Sequence, residues 1–266
     1  MGISFKEKYG DWALITGATS GIGAEMASQI AAKGLNVVLV ARREKELEEQ
    51  ATLLTERYGI KATTVSADLS TSEGVEKVKQ IDKSIGLLVL AAGIEVNGSF
   101  AKSSLEQELK MIQLNVTSVL QLTHHFTPTM IERKRGGILM VSSLSGHMVS
   151  PYFSNYAGTK AYVLQLGASL HGELKPKGID VTVLSPGLTT TPMTADNGVD
   201  WSKLPMVAKD PAEVAEIAIN GLGRKAVVVP GKRNRMTAIL SGIIPHQKQA
   251  IMGESMIGKA MPKNKM

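Results

Sequence analysis

The chain has 266 residues, 43% of them hydrophobic and 20% charged, which is enough to bury the core of one large globular domain. It contains no cysteine, and this excludes disulfides and thiolate-bound metal ions. The formal net charge is +6, and the whole excess lies in residues 232–266, so the neutral remainder argues against a nucleic-acid-binding domain.

Short apolar runs alternate with segments of helical pattern along the chain. Strands buried on both faces are predicted at 12–15, 37–41, 63–67, 87–92, 138–141, 181–184 and 226–229. Helices are predicted between them at 21–33, 44–58, 71–84, 104–133, 154–174 and 210–222. Because strand, helix and strand in this order require right-handed crossovers, we expect a doubly wound α/β fold with a mostly parallel, seven-stranded sheet and helices on both faces.

The first strand runs into the glycine-rich stretch TGATSGIG, residues 16–23. Gly17 would permit a tight turn, while Gly21 and Gly23 would let a pyrophosphate approach the backbone at the amino end of the first helix. Met26 stands where the third glycine of a G-x-G-x-x-G pattern would fall, so the strict dinucleotide motif is absent. This turn alone indicates no more than a candidate phosphate site.

A second constellation follows the fifth strand. Tyr156 and Lys160 are four residues apart in YAGTK, inside a predicted helix, and therefore project from one face. Taken alone, such a pair is more commonly an exposed aromatic beside a solvated lysine. Its combination with the glycine-rich turn and with Ser142-Ser143 at a strand end argues against that alternative.

With these motifs in this order, the sequence resembles the short-chain dehydrogenase/reductase family over about residues 10–230. The resemblance implies a Rossmann-like fold and hydride transfer between a nicotinamide and a carbonyl or alcohol. It also implies a set of cofactor-binding residues: Gly17, Thr19, Ser20, Gly21, Ile22, Gly23, Asp68, Leu69, Ala92, Gly93, Tyr156, Lys160, Pro186, Gly187, Thr189 and Thr191. One departure is LAAG at 90–93, where the family usually has N-N-A-G, whose asparagines help brace the central sheet.

The same resemblance implies four catalytic residues: Asn115, Ser143, Tyr156 and Lys160. Tyr156 would donate the proton to the carbonyl oxygen, which near neutrality requires its pKa to fall from about 10 toward 7, with Lys160 and the oxidised nicotinamide as the available cations. Ser143 would hydrogen-bond the same oxygen, whereas Ser142 would be one residue out of register. Asn115 would hold a water that links Lys160 to solvent, or would make a capping or core hydrogen bond instead.

Charge at the end of the second strand indicates which cofactor is used. A carboxylate there would bind the ribose hydroxyls and repel an added phosphate, but the chain has Arg42 and Arg43 in VARR. Charge-assisted hydrogen bonds from guanidinium groups favour a 2′-phosphate, so we predict NADP(H) over NAD(H). The alternative is that both arginines are solvated surface at the start of a helix, although a helix amino end is a poor place for two cations.

Residues 188–209 form a connection too long for an ordinary loop, which predicts a substrate lid ending at the DPAE helix start of Asp210. Apolar candidates for the substrate pocket, each of which could equally belong to the core, are Met193, Trp201, Met206, Leu144, Met148, Val149, Pro151 and Phe153. They predict a small apolar carbonyl or alcohol substrate such as a 3-oxoacyl chain, a ketone or a steroid-like compound. The scattered histidines predict no metal site.

We expect one catalytic domain over residues 1–230 and a basic, partly apolar extension over 231–266. The extension could cover the substrate pocket, pack across a subunit interface or lie on an anionic membrane surface, and a packed or solvated extension is the simplest alternative. The resemblance implies a homodimer or homotetramer built on the helices that contain Asn115 and Tyr156. No apolar run reaches the length of a membrane span and no secretory leader opens the chain, so we expect a cytoplasmic location.

A non-catalytic alternative also has to be considered: a dinucleotide-binding sensor or scaffold that uses the same fold. Intact Ser143, Tyr156 and Lys160 argue against it, because a protein that only binds a dinucleotide needs no proton donor beside the nicotinamide.

Overall fold

The computed structural model describes residues 3–266. Its strands are β1 (Trp12–Thr16), β2 (Asn36–Ala41), β3 (Ala62–Ser66), β4 (Ile85–Leu90), β5 (Gly136–Val141), β6 (Ile179–Leu184) and β7 (Val227–Val228). Its α-helices are α1 (Phe5–Tyr9), α2 (Gly21–Ala32), α3 (Glu44–Tyr58), α4 (Ser72–Lys79), α5 (Leu105–Ile112), α6 (Ser118–Glu132), α7 (Ser154–Leu174), α8 (Pro192–Ala195), α9 (Pro211–Gly221), α10 (Lys232–Ser241) and α11 (His246–Ile257).

The strands form one sheet in the order β3-β2-β1-β4-β5-β6-β7, and every pairing is parallel. The predicted doubly wound, Rossmann-like fold is therefore confirmed, and the sheet is wholly parallel rather than mostly so. The strand order reverses between β1 and β4, where a crevice opens at the carboxyl ends of the strands. Ligands of open α/β sheets bind in such a crevice.

Apolar side chains on both faces of the sheet explain why these runs fold as central strands. Along β4, Leu87 and Val89 join one hydrophobic cluster while Leu88 and Leu90 join the cluster on the opposite face. This alternation is what a strand with period two produces, and two buried faces require helices on each side. The sheet core is thus fixed by the continuous apolar runs visible in the sequence.

The long helix predicted at 104–133 is present as an uninterrupted helical stretch over residues 105–132, but it is not α-helical throughout. It consists of α5, a π-helical segment at Gln113–Thr117, and α6. Asn115 lies in the middle of this wider turn. The extra residue in the turn rotates the side chains of the following helix, α6, around the helix axis. The predicted helix 71–84 is also shorter, since α4 ends at Lys79.

Helix α1 was not predicted from the sequence. Ser4 caps it by accepting a hydrogen bond from the Glu7 N–H, and the Glu7 carboxylate accepts one from the Ser4 N–H. This reciprocal pair is the capping box, whose S-x-x-E signature stands at 4–7. The signal was therefore present in the sequence.

The C-terminal extension forms α10 and α11, and α11 packs on the loop that follows β5. The Gln249 side-chain oxygen accepts a hydrogen bond from the Val149 N–H at 3.0 Å, and Gly253 contacts Pro151 so closely that a Cβ there would lie 2.8 Å from the ring. The boundary predicted near residue 230 falls between β7 and α10 and stays a prediction. Within residues 3–266, every helix is too short or too polar to cross a membrane.

Candidate active site

The glycine-rich turn joins β1 to α2 at the strand-order reversal. Gly17 has a φ of +70°, and a Cβ on it would lie 2.9 Å from the Ala92 backbone. Gly21 has a φ of +56° and lies against Thr191. Gly23 is required for packing as much as for ligand approach, because a Cβ there would lie 2.3 Å from the Gly17 carbonyl oxygen. Side chains at Gly17 and Gly23 would therefore displace backbone, which accounts for these two glycines structurally.

The amino end of α2 suits an anion. Its N-cap residue, Ser20, makes no side-chain hydrogen bond to the helix. The first N–H groups of the helix therefore keep their capacity to bind a phosphate, and the helix dipole favours negative charge at this position. These features fit the pyrophosphate of a dinucleotide.

Thr16 performs the bracing that the missing asparagines of LAAG would have provided. Its Oγ1 accepts hydrogen bonds from the N–H groups of Ala91 and Ala92, each at 3.1 Å. These bonds tie the carboxyl end of β1 to that of β4. The departure from N-N-A-G thus leaves the two strand ends connected.

One cavity brings together most of the residues predicted for the cofactor. Those that line it are Gly17, Ser20, Gly21, Ile22, Gly23, Ala92, Gly93, Tyr156, Lys160, Pro186, Gly187, Thr189 and Thr191. The cavity wall also includes Ser143, which was predicted as a catalytic residue, and six residues that were not among the predicted cofactor residues: Ala91, Val141, Ser142, Pro192, Met193 and Thr194. Met193 was already a candidate for the substrate pocket, and the others were signalled only by their position next to predicted residues.

The other predicted residues lie outside this wall. Arg43 donates a hydrogen bond to Thr19 at 3.0 Å and pairs with Glu46 at 2.7 Å. Asp68 accepts hydrogen bonds from Ser70, while Leu69 is 4% exposed and packs in the core. Arg42 is exposed at the end of β2, close enough for its charge to act on the pKa of Asp68.

Ser143 and Ser142 differ in what their hydroxyls can reach. Ser142 is 2% exposed, and its Oγ donates to the Lys160 carbonyl oxygen at 2.7 Å, which ties β5 to α7. Ser143 begins the next turn, where its Oγ accepts from the Ser145 N–H and it lines the cavity together with Tyr156. The geometry therefore favours Ser143 for contact with a substrate.

Tyr156 and Lys160 lie one turn apart on α7 and are both buried. The Lys160 Nζ is 5.7 Å from the centre of the Tyr156 ring and donates to the Val141 carbonyl oxygen at 3.0 Å. Gly93 leaves room for this ammonium group, since a Cβ there would lie 3.3 Å from Nζ. The pair thus occupies one side of the cavity, opposite the glycine-rich turn.

The electrostatics of the pair differ from the sequence expectation. Burial raises the pKa of Tyr156, the charge of Glu95 raises it further, and the Ser143 hydroxyl acts in the opposite direction. Burial lowers the pKa of Lys160 to about 8, against the effect of Glu95. In the protein alone, the neutral phenol is therefore favoured, because desolvation and the Glu95 charge outweigh the Ser143 hydrogen bond.

Asn115 makes core hydrogen bonds. Its Oδ1 accepts from the Ile94 N–H at 3.0 Å, and its Nδ2 donates to the Ile94 carbonyl oxygen at 2.8 Å and to Thr159 at 3.2 Å. These bonds hold the loop after β4 against α7. Of the two roles considered for Asn115, the structural hydrogen bond is the one its side chain makes here.

A second, mostly apolar cavity adjoins the first and shares Ser143, Tyr156 and Gly187 with it. Six of the apolar residues predicted for the substrate pocket line it: Leu144, Met148, Phe153, Met193, Trp201 and Met206. Val149 and Pro151 face α11 instead. Sequence reasoning missed Glu95, Met256 and Ile257, which also line this cavity.

Residues 11–200 match the sequence profile described as short chain dehydrogenase. The chain belongs to the short-chain dehydrogenase family, and it is an oxidoreductase that acts on CH–OH and C=O groups. This assignment agrees with the all-parallel sheet, the glycine-rich turn and the Ser143, Tyr156 and Lys160 arrangement.

Three known proteins illustrate the similarity. The chain is 33% identical over 238 residues to a 7beta-hydroxysteroid dehydrogenase of Collinsella aerofaciens, which covers 88% of this chain and 90% of that protein. A solved 7beta-hydroxysteroid dehydrogenase structure has a TM-score of 0.85 at 30% identity and covers 94% of this chain and 99% of its own. A short-chain dehydrogenase from Sphingobium yanoikuyae in complex with NADPH has a TM-score of 0.79 at 31% identity, covering 92% of this chain and 96% of its own.

Proposed function

We propose that this protein is an NADP(H)-dependent oxidoreductase that interconverts bulky apolar ketones and the corresponding secondary alcohols. One observation carries the proposal. Ser143 and Tyr156 stand where the glycine-lined cavity meets the apolar cavity. A carbonyl oxygen placed there would have both hydroxyls as hydrogen-bond partners, with the rest of the substrate against apolar side chains.

The cavity between α2 and α7 fits a nicotinamide dinucleotide. The open amino end of α2 suits the pyrophosphate, and Thr191, which lies against Gly21, and Thr189 would bind next to it in the same cavity. When bound, the cofactor supplies the hydride. Arg42 supports the choice of NADP(H) because it is an exposed cation at the end of β2, and the similar NADPH-bound dehydrogenase is consistent with it.

Tyr156 acts as the proton donor in the reduction. Its raised pKa keeps the phenol protonated, and the Ser143 hydroxyl next to it holds the carbonyl oxygen in place. As negative charge develops on the tyrosine oxygen, the nearby Lys160 ammonium stabilises it, because both groups are shielded from water. Alcohol oxidation uses the same residues in reverse, and it requires the phenolate that burial disfavours.

The apolar cavity supports a bulky substrate. Phe153 and Trp201 lie with their ring centres 6.3 Å apart, and Leu204 and Met206 continue the same wall. A steroid-like ring system, as the similarity to 7beta-hydroxysteroid dehydrogenases suggests, or a 3-oxoacyl chain would bury apolar surface here. The cytoplasmic location expected from the sequence stays a prediction.

Replacing Tyr156 with phenylalanine tests the proposed proton donor. The Tyr156→Phe protein should bind NADPH about as tightly as the unchanged protein, because the ring is retained, and should lose at least about a hundredfold in kcat, because the transferable proton is gone. The measurements are NADPH fluorescence titration and NADPH consumption with a panel of steroid, aryl and 3-oxoacyl ketones. Retention of more than a tenth of the activity would show that Tyr156 is not the donor.

A further inference from the structure

Glu95 places a carboxylate in a cavity that is otherwise mostly apolar. It lies on the loop after β4, is half-buried, and lines the cavity beside Ser143 and Tyr156. The reaction proposed above does not use it. A carboxylate kept in such surroundings costs free energy unless it is well hydrogen-bonded, so its partners indicate what it does there.

One oxygen of Glu95 is held by two side-chain amides. Its Oε1 accepts hydrogen bonds from the Nδ2 atoms of Asn97, at 3.2 Å, and Asn197, at 3.0 Å. Lys265 holds the Asn97 amide from the other side, since its Nζ donates to the Asn97 Oδ1 at 2.9 Å, and it also donates to the backbone carbonyl oxygen of Asn197 at 2.8 Å. Residues from the β4 loop, the lid region and the C-terminal extension thus orient one carboxylate.

The other oxygen, Oε2, is left for a ligand. Within residues 3–266, both hydrogen bonds that Glu95 accepts end on Oε1. Glu95 lines a largely apolar cavity, and an acceptor without a partner in such surroundings favours a ligand with a matching donor over one without it. The carboxylate is close enough to the reacting groups for its charge to act on the pKa values of both Tyr156 and Lys160.

We propose that Glu95 is a specificity-determining residue whose Oε2 accepts a hydrogen bond from a hydroxyl group of the substrate, so that the preferred ketone carries a hydroxyl close to the reacting carbonyl. This inference rests on the proposed function and narrows its substrate class. A neutral hydroxyl suits the site better than an ammonium group, because the cations Lys160 and Lys265 already face Glu95 and the surrounding wall is apolar.

A matched pair of ketones tests this proposal. The ketones are 2-hydroxy-1-phenylethanone and acetophenone, which differ by one hydroxyl on the carbon attached to the carbonyl carbon. The ratio of their kcat/KM values is measured with NADPH, and the ratio of their Kd values is measured by calorimetry with protein saturated with NADP+. The proteins compared are the unchanged chain, Glu95→Met, Glu95→Gln and Glu216→Met, the last removing an exposed carboxylate from α9.

The unchanged protein should prefer the hydroxyketone by about tenfold or more in both ratios. Glu95→Met should bring both ratios close to one. Only the hydroxyketone should bind and react less well, while the kcat/KM and Kd values of acetophenone should stay within about threefold of those of the unchanged protein. Glu95→Gln should give intermediate ratios, because its amide oxygen must face Asn97 and Asn197 and its NH2 group can still donate to a hydroxyl. Glu216→Met should leave the ratios unchanged.

Three results would overturn the proposal: no hydroxyl preference in the unchanged protein, the same preference in Glu95→Met, or an equal loss for both ketones, which would mean that Glu95 acts on Tyr156 rather than on the substrate. Failure of the proposed function looks different. If no ketone consumes NADPH, the reaction proposed above is wrong, and the calorimetric ratios still decide for or against Glu95.

Discussion

In the protein without cofactor, burial has the largest effect on the pKa of Tyr156. The expectation from the sequence was a lowered pKa, whereas the structure raises it, because the ring is buried and Glu95 adds negative charge nearby. A protonated phenol is the form that can donate to a carbonyl. In the proposed reaction this form suits carbonyl reduction, whereas alcohol oxidation depends more strongly on added positive charge.

Arg42 and Arg43 are adjacent in the sequence but differ in their surroundings. The Arg43 guanidinium is shared between Thr19 and Glu46. Among the residues described, Arg42 has no carboxylate within ion-pair distance, so its guanidinium can bind a 2′-phosphate without first breaking another pair. The two arginines that the sequence treated alike are thus expected to contribute unequally to cofactor choice.

Reversing the charge at Arg42 should reverse the cofactor preference. We expect Arg42→Asp to lower kcat/KM for NADPH by about tenfold to a hundredfold and to raise it for NADH, because a carboxylate repels the phosphate and accepts ribose hydroxyls. Lys45→Asp makes the same charge change on the exposed side of α3 and serves as the control. The kcat/KM values for NADPH and NADH are measured with the same ketone for each protein. If Arg42→Asp still prefers NADPH, Arg42 does not bind the 2′-phosphate.

At the scale of elements, a buried carboxylate connects three parts of the chain. Asp180 at the start of β6 accepts a hydrogen bond from the Tyr9 hydroxyl at 2.9 Å and pairs with Lys8 and Lys175. Burial alone would raise the pKa of Asp180, but these hydrogen bonds outweigh burial and hold the pKa below its ordinary value. The unpredicted helix α1 is thereby anchored to the amino end of β6.

Removing this carboxylate should destabilise the fold. We expect Asp180→Ala to lower the free energy of unfolding by about 2–4 kcal/mol at pH 7, because the buried Tyr9 hydroxyl loses its partner. Asp200→Ala, which removes an exposed ion pair with Lys203, should have a much smaller effect because water screens that pair. Urea denaturation measures both, and equal losses in the two variants would contradict the anchoring role.

The same network gives the sign of a pH effect. Because the folded-state pKa of Asp180 is depressed, its stabilisation is complete above the unfolded-state pKa, about 4, and is lost as the pH falls through the folded-state value. The difference in stability between the unchanged protein and Asp180→Ala should therefore shrink in denaturation curves below about pH 4.

At the scale of the whole molecule, an exposed apolar stripe on α5 is available to a second copy of the chain. Leu105, Leu109 and Ile112 follow the i, i+4, i+7 spacing of one helix face, and they are 72%, 55% and 37% exposed. Leu120 on α6 and Tyr162 on α7 are also exposed. These helices flank Asn115 and Tyr156, so the stripe supports the oligomer that family resemblance implies.

A single charge in this stripe should change the oligomeric state. We expect the unchanged protein to sediment as a dimer or tetramer and Leu109→Glu to shift it toward monomer, since a carboxylate at the centre of an apolar interface is costly to bury. Leu53→Glu is the matched control, because Leu53 on α3 is 52% exposed outside the stripe. Sedimentation velocity distinguishes these outcomes, and a monomeric unchanged protein would contradict the prediction.

The C-terminal extension is the part of the molecule on which the sequence was least informative. Its helix α11 supplies Met256 and Ile257 to the apolar cavity, and Lys265 near the end of the chain bonds Asn97 and Asn197 beside Glu95. The sequence left several roles open for the extension: covering the substrate pocket, a subunit interface, an anionic membrane surface, or simple packing on the domain. The structure shows that the extension packs on the domain and contributes to the apolar cavity, and only coordinates could connect residues so distant along the chain.

The sequence by itself determined the alternating architecture, the glycine-rich turn and the position of Tyr156 and Lys160 on one helix face, and the family resemblance added Ser143 to that pair. The first three features depend on local patterns: apolar runs, glycine at a strand-to-helix turn and the four-residue spacing of one helix face. Tertiary structure decided the hydrogen bonds of Asn115, the direction of the Tyr156 pKa shift and the position of Glu95. Each of these depends on groups far apart in sequence, whose burial and charge act only after the chain has folded.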